Sequence, residues 1–222
     1  MVNLYVIARV AETKTFSQQA IDIKKLIKDF QPREVVIDTN GLGVGLADEM
    51  IKPQVDELGE YYPAYAFAND ENYYAIQPKN APKILYGIKA NGPLNSKING
   101  NAYSRLSSGL VKFLVTEQEA KSSLMSTAAG QKMSIVKRVE RILPHEMTTK
   151  LFEEMANLRL KRTGSATDIV LEQINPRYPK DKYSSFAYGL WRIKELEEDY
   201  TTKRRRRFGG NGPQTRRLTF FN

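Results

Sequence analysis

The feature that most constrains the fold of this chain is the segment Val35–Gly45, in which three β-branched apolar residues precede an aspartate and a glycine-rich turn. A short apolar run bounded by turn residues predicts a buried strand of the kind found in α/β sheets. Residues 46–51 then predict a helix. Open α/β sheets place their ligands at the carboxyl ends of their strands. Asp38, at the end of this strand, is therefore the first candidate functional residue.

Three interpretations of the Asp38 turn remain open. Asp38 and Asn40 are residue types that shape tight turns, which is a purely structural role. A dinucleotide-binding loop is the second interpretation, but Gly41, Gly43 and Gly45 do not follow the G-x-G-x-x-G pattern, and the carboxylate would face the pyrophosphate. The third is a metal-binding carboxylate beside glycines that let a large anionic substrate approach the backbone. We favour the third, because other parts of the sequence point the same way.

The composition excludes several classes of function. The 222 residues are 41% hydrophobic and 27% charged, which is typical of a globular chain with a sizeable core. The absence of cysteine excludes disulfides and thiolate metal sites, and favours a reducing compartment. No apolar run approaches the ~20 residues that span a bilayer, and we expect neither a secretory signal nor a membrane partner. Motifs of P-loop ATPases, zinc peptidases and α/β-hydrolases are also absent from the sequence.

The positive charge of the chain is concentrated at its carboxyl end. The net charge is +9, and the residues from Thr201 onward contribute seven Lys/Arg and no acids, so the remainder carries only 9 − 7 = +2. A basic chain favours a polyanionic partner such as nucleic acid. We predict one domain over residues 1–200 and a basic, unstructured tail over residues 201–222.

Hydrophobic periodicity predicts an α/β arrangement. Residues 2–10 predict a strand, and residues 16–30 predict an amphipathic helix that begins with a capping box at Thr15. Together with the Asp38 strand they form a βαβ unit, which favours a right-handed crossover and parallel pairing. The polar segment 117–139 is expected to be a flexible excursion or a partly ordered, DNA-facing segment. Further strands are predicted at 83–90 and 168–174, and further helices at 98–114, from Thr148 to about 161, and from Asp181.

Asp181 is the second candidate functional residue, because it opens the last predicted helix between Lys180 and Lys182. An acid in the first turn of a helix is also favourable with the helix dipole, so a structural role stays open. The functional interpretation is that the carboxylate holds Mg²⁺ or Mn²⁺ while the two lysines hold a phosphodiester. Two such ions activate water and stabilise the leaving oxygen. His145, the single histidine, is interpreted as a capping or packing residue.

Residues 37–46 and 180–190, taken together, resemble the nuclease domain of the large terminase subunit of tailed bacteriophages, and residues 143–146 and 153–158 resemble the same family. The resemblance extends to about Tyr200. It implies a ribonuclease-H-like mixed sheet flanked by helices, and metal-dependent cleavage of concatemeric viral DNA in the host cytoplasm. The partners that it implies are double-stranded DNA, the portal protein and the small terminase subunit.

The resemblance also implies roles for individual residues. Asp38 and Asp181 correspond to catalytic metal ligands, whereas the DNA-holding role of Lys180 and Lys182 is predicted from their position beside Asp181 and not from the resemblance. A further family acid lies on the first strand of the sheet, upstream of the strand predicted at 2–10. We therefore expect this chain to lack that strand, its acid and the ATPase domain. Asp48 and Asp168 are candidates for an additional carboxylate. The alternatives are a non-catalytic DNA- or portal-binding module with an incomplete metal site, and a nucleotide-binding α/β domain that uses the glycine-rich turn.

Overall fold

The computed structural model describes residues 14–162 and 169–209, which form a mixed α/β architecture. Eight helices fall within these residues: α1 (Phe16–Phe30), α2 (Gly43–Met50), α3 (Glu71–Tyr74), α4 (Gly92–Ser107), α5 (Glu117–Met125), α6 (Ala128–Lys132), α7 (Ile135–Ala156) and α8 (Asp181–Gly209). The strands of the same part of the chain are β1 (Val35–Asp38), β2 (Gln54–Val55), β3 (Tyr61–Tyr62), β4 (Leu85–Ile88), β5 (Leu158–Arg162) and β6 (Ile169–Gln173).

The centre of the fold is a parallel pair of strands, β1 and β4, whose register runs from Val35 opposite Leu85 to Asp38 opposite Ile88. Two antiparallel pairs, β2 with β3 and β5 with β6, lie outside it. The predicted strands at 83–90 and 168–174 are confirmed by β4 and β6. The strand predicted at 2–10 lies outside the described residues, and so does its pairing with the Asp38 strand.

The parallel pair separates two apolar cores, because successive side chains of a strand point to opposite faces. Ile37 of β1 faces a core that it shares with α1 and α2. Val36 faces a second core, built by α4, α7 and α8. Asp38 follows the alternation and shares the side of Val36, at the end of the strand. The members of the first core include Ala20, Ile27, Ala47, Met50, Phe67 and Leu85, and those of the second include Ile98, Leu151, Phe186, Ala187 and Leu190.

Helix α1 has the bounds that its capping box predicts. The backbone N–H of Gln18 donates to the Thr15 hydroxyl at 3.3 Å, and the Gln18 side-chain oxygen accepts from the Thr15 backbone N–H at 3.0 Å. This reciprocal pair satisfies two N–H groups that a helix start would otherwise leave without partners. The helix ends at Phe30 and is followed by Gln31, whose φ of 44° is left-handed, just before Pro32.

The helix predicted to start at Thr148 begins earlier than expected. Helix α7 starts at Ile135 and is capped by Ser134, whose hydroxyl accepts from Lys137 N–H at 3.4 Å. Pro144 lies inside it, and the Thr148 hydroxyl donates to the Pro144 carbonyl at 2.9 Å, as hydroxyls inside helices do. The predicted helix through residue 161 is also wrong at its far end. The helix stops at Ala156, and the chain continues as β5.

Two further segments differ from their predictions. Residues 117–139 are ordered as α5, α6 and the start of α7, and α5 has its own capping box between Thr116 and Glu119. The helix predicted at 98–114 instead spans Gly92 to Ser107, since Asn91 caps its start and Gly109, at φ +64°, follows its end. In both places short polar side chains at the helix starts decide the bounds.

Helix α8 continues through Gly209. Residues 201–209, which we predicted to be unstructured, therefore extend the last helix, and residues 210–222 lie outside the described residues. No helix of the described part of the chain combines the length and apolar character that crossing a membrane requires.

Candidate active site at the carboxyl end of the parallel strands

A cleft of about 610 Å³ lies on the α4 and α8 side of the sheet. Its walls come from the end of β1, the first turns of α4 and α8, and the strands β5 and β6. Asp38 and Asp181, the two carboxylates predicted from the sequence, both line this cleft, and so does Lys180. The fold thus brings together residues that are far apart in the sequence.

Asp38 combines a turn-forming role with an exposed carboxylate. Its Oδ1 accepts a hydrogen bond from the backbone N–H of Asn40 at 2.9 Å, and the Asn40 side-chain amide donates to the Ala90 carbonyl at 3.0 Å. Asp38 and Asn40 therefore do shape the turn, as the structural interpretation expects. The second oxygen, Oδ2, has no hydrogen-bond partner among residues 14–161 and 170–202, whose side chains the structure describes. One oxygen of Asp38 therefore shapes the loop, and the other is available to a ligand.

Of the three glycines after Asp38, Gly43 and Gly45 are required by the protein's own packing. Gly41 has a φ of +54°, which non-glycine residues rarely adopt, and faces open space. A Cβ on Gly43 would lie 1.8 Å from the carbonyl oxygen of Asp38, and a Cβ on Gly45 would lie 2.4 Å from the Phe16 ring. The expectation that these glycines admit a substrate is thus corrected at Gly43 and Gly45, where neighbouring protein atoms occupy that space.

Asp181 is the first residue of α8, and its side chain is exposed in the cleft. The Ser184 N–H donates to the carbonyl of Lys180 at 2.9 Å, so Lys180 is the residue that precedes the first turn. Asp181 has no hydrogen bond or ion pair within the described part of the chain. The positive end of the helix dipole stabilises negative charge at this position. Asp181 thus presents an unpaired carboxylate beside the ammonium-bearing Lys180.

Lys182 does not have the role that the sequence predicts for it. Its side chain is only 9% exposed, and its Nζ donates to Oε1 of Glu154 at 3.1 Å. Glu154, on α7, is 1% exposed. Successive helical residues point about 100° apart, so Lys182 faces the core while Asp181 faces the cleft. Since the ammonium is buried in an ion pair, Lys182 is not placed to hold DNA.

Of the two residues considered for a third carboxylate, Asp48 is described by the structure and does not line the cleft. Asp48 lies on α2 and contacts Tyr73; burial and the charge and hydrogen bond of Asp48 raise the pKa of the Tyr73 hydroxyl to about 12. Asp168 lies outside the described residues. Over 14–162 and 169–209, no group of three or more acidic or histidine side chains is arranged to hold a metal ion. His145 lies inside α7, with Nδ1 2.9 Å from the Val115 carbonyl oxygen, and serves packing.

Several polar residues of the cleft were not anticipated from the sequence. Asn95 and Asn99 lie on one face of α4, and Tyr183 donates its hydroxyl to Asn99 Oδ1 at 3.2 Å. Burial raises the pKa of Tyr183 to about 12. Burial and the negative charge of Asp38 raise the pKa of Tyr188. Both phenols therefore stay protonated near neutral pH. The four-residue spacing of the asparagines was the signal that could have indicated a shared polar face.

No family model, curated protein or solved structure matches this chain. The function must therefore be argued from the cleft and from the residues that line it.

Proposed function

We propose that this chain is a metal-dependent DNA endonuclease domain of a phage packaging terminase, which cuts concatemeric viral DNA by phosphodiester hydrolysis. The observation that supports the proposal is the meeting of Asp38 and Asp181 in one cleft, beside Lys180. The proposal includes a ribonuclease-H-like arrangement, in which β1 and β4 are the parallel part of the sheet. It also includes the portal protein and the small terminase subunit as partners, in the host cytoplasm.

The residues of the cleft fit Mg²⁺ or Mn²⁺. Mg²⁺ keeps several waters and is bound through one or two carboxylates together with substrate phosphate oxygens. Oδ2 of Asp38 and the carboxylate of Asp181 are carboxylate oxygens of the cleft without protein partners among the described side chains, so they are the donors we assign to the ions. When bound, two such ions supply an activated water and stabilise the leaving oxygen of the phosphodiester.

The remaining residues of the cleft bind and orient the DNA backbone. Lys180 places a positive charge next to Asp181, where it holds a phosphate. Asn95, on α4, supplies amide donors, and the protonated hydroxyl of Tyr188 is a further donor. Contacts of this kind are made to phosphate and sugar, so binding tolerates many sequences and weakens with salt.

A non-catalytic DNA- or portal-binding module is the second candidate function. It is favoured by the finding that the described residues hold no cluster of three or more potential metal ligands. In that case the basic residues from Lys203 onward carry the interaction, and Asp38 is retained for its turn. The two candidates differ in whether DNA is cut, and an activity assay distinguishes them.

The test is nicking of supercoiled plasmid in Mn²⁺ or Mg²⁺ by the wild type, Asp38→Asn and Asp181→Asn. Asp48→Asn is the matched control, because it makes the same change outside the cleft and keeps an acceptor for Tyr73. The nuclease proposal expects metal-dependent cutting that falls on the order of 10²-fold or more in both cleft variants and persists in the control. Salt-sensitive DNA binding without cutting by a folded wild type would favour the binding module instead.

A further inference from the structure

The first turn of α8 receives its cap from another helix. The first N–H groups of a helix have no partner within it. Lys180, at the capping position, has a side chain that cannot accept a hydrogen bond. Oε2 of Glu154, which projects from α7, accepts from the backbone N–H of Tyr183 at 2.9 Å. The acceptor that serine, threonine or aspartate usually supplies at a helix start therefore comes from α7.

Glu154 uses its other carboxylate oxygen to pair with Lys182, as described above, so the same side chain contacts two consecutive residues of α8. Asp181 immediately precedes them. Because Glu154 is 1% exposed, it is packed on all sides and has little freedom to move. These two contacts join the first turn of α8, next to Asp181, to α7.

The segment that leads into α8 is held by neighbours of Glu154. Glu153 Oε2 accepts from the Tyr178 hydroxyl at 2.7 Å. Asn157 makes a reciprocal pair with Asn175, in which Oδ1 accepts from the Asn175 N–H at 2.8 Å and Nδ2 donates to its carbonyl at 3.0 Å. The last turn of α7 thus fixes the approach to Asp181 at several points along residues 175–183.

We propose that Glu154 is a positioning residue, which caps α8 from α7 and thereby holds Asp181 in the cleft with Asp38. Glu154 lies outside the set of residues that line the cleft, so it acts only through the helix start. The catalytic consequence of this placement rests on the proposed function, whereas the placement itself does not.

A pair of double variants isolates the cap from the buried charges. Glu154→Gln/Lys182→Met removes both charges and keeps an amide oxygen that accepts from Tyr183. Glu154→Met/Lys182→Met removes the same charges with a side chain of similar length and no such acceptor. Neutral replacement of a buried ion pair is often tolerated or stabilising. We therefore expect both variants to fold, which circular dichroism and thermal unfolding verify.

The position of Asp181 relative to the Asp38 turn can be measured without a metal ion and without an activity assay. The chain contains no cysteine, so spin labels are attached through Leu42→Cys, at an exposed position beside the Asp38 turn, and Asp181→Cys. The distance distribution between the labels, measured by pulsed electron resonance, should match the wild type in the Gln/Met background and shift or broaden in the Met/Met background. Equal distributions in the two backgrounds would overturn the proposal.

Amide hydrogen exchange tests the cap in the unmodified protein. The Tyr183 amide should exchange as slowly as the amides inside α8, because Glu154 holds it. Fast exchange at Tyr183 beside protected inner amides would overturn the proposal even if a variant failed to fold.

If the wild type cuts DNA, the Met/Met variant should lose on the order of 10²-fold in kcat with a smaller change in KM, because a displaced ligand costs that much. If the wild type does not cut, the proposed function fails, and the label distances and the exchange rate still decide the placement.

Discussion

Lys24 provides a quantitative test of the core between α1 and α2. Its side chain is 0% exposed, and its Nζ donates to the Lys52 carbonyl oxygen. Burial lowers the pKa of Lys24 from 10.5 to about 8, against the opposing effect of the Glu49 charge. Each pKa unit corresponds to about 1.4 kcal/mol, so at neutral pH the protonated lysine lowers stability by about 3 kcal/mol. Lys24→Met removes this cost and loses one charged hydrogen bond, of about 1.5–3 kcal/mol, so we expect a gain of about 1 kcal/mol at pH 7.

The pH dependence of stability is the sharper measurement. The unfolded chain keeps the Lys24 proton up to pH 10.5, whereas the folded protein releases it near pH 8. Unfolding therefore takes up a proton in this window, and the free energy of unfolding of the wild type rises with pH relative to Lys24→Met. Urea unfolding at pH 7.5 and pH 10 measures the difference between the two proteins. Lys28→Met, at an exposed site that pairs with Glu60, is the surface control. Parallel pH curves for the wild type and Lys24→Met would refute the reasoning.

Three further predictions concern the Asp38 turn, the cleft and the contact of α8 with the residue that precedes β1. Gly43→Ala should lower stability by about 1–3 kcal/mol in chemical unfolding, because overpacking forces the turn away from the Asp38 carbonyl; an unchanged midpoint would contradict this. Lys180→Ala should weaken DNA binding for all sequences alike and reduce the slope of log K against log salt by about 1; a change confined to one sequence would argue against a phosphate contact. Arg192→Ala should lower the free energy of unfolding by about 1.5–3 kcal/mol, because it removes a bidentate ion pair with Glu34. Arg192→Lys should restore only part of this loss.

The parts of the fold that the sequence predicts are those in which local signals agree. The bounds of α1 follow from a capping box at Thr15 and a run of apolar residues at helical spacing. The strand that ends at Asp38 follows from a short apolar run before a turn. In each case the local preference of the backbone and the burial of one face favour the same element.

The errors arise where a local signal is outweighed by packing. Pro144 predicts a helix boundary, yet it lies inside α7, because the helix is held by its own cap at Ser134 and by the packing of Leu151 against the second core. The sequence Lys180–Lys182 indicates a cationic pair around an acid, whereas the helix directs its second lysine inward to Glu154.

The cleft was predicted in part. Asp38 and Asp181 were found because strand ends and helix starts expose polar side chains in a predictable way. Glu154 was missed, although it lies three residues after Leu151, at the spacing of a core-facing residue in a helix. An acid at such a position indicates a buried partner, but only the tertiary structure shows that the partner is the start of α8.

The alternation of side chains along β1 gives Asp38 a second effect, on folding fidelity. Ile37 is 6% exposed in one core, and Asp38 is exposed on the other side. A shift of β1 by one residue would exchange the two faces, so moving Asp38 to the position of Ile37 would place a carboxylate in the core of α1 and α2. The charge thus makes the shifted sheet unfavourable. Asp38→Leu would remove that discrimination, whereas Asp38→Asn retains a polar group at the end of β1. A loss of activity in Asp38→Asn would therefore report on chemistry and not on misfolding.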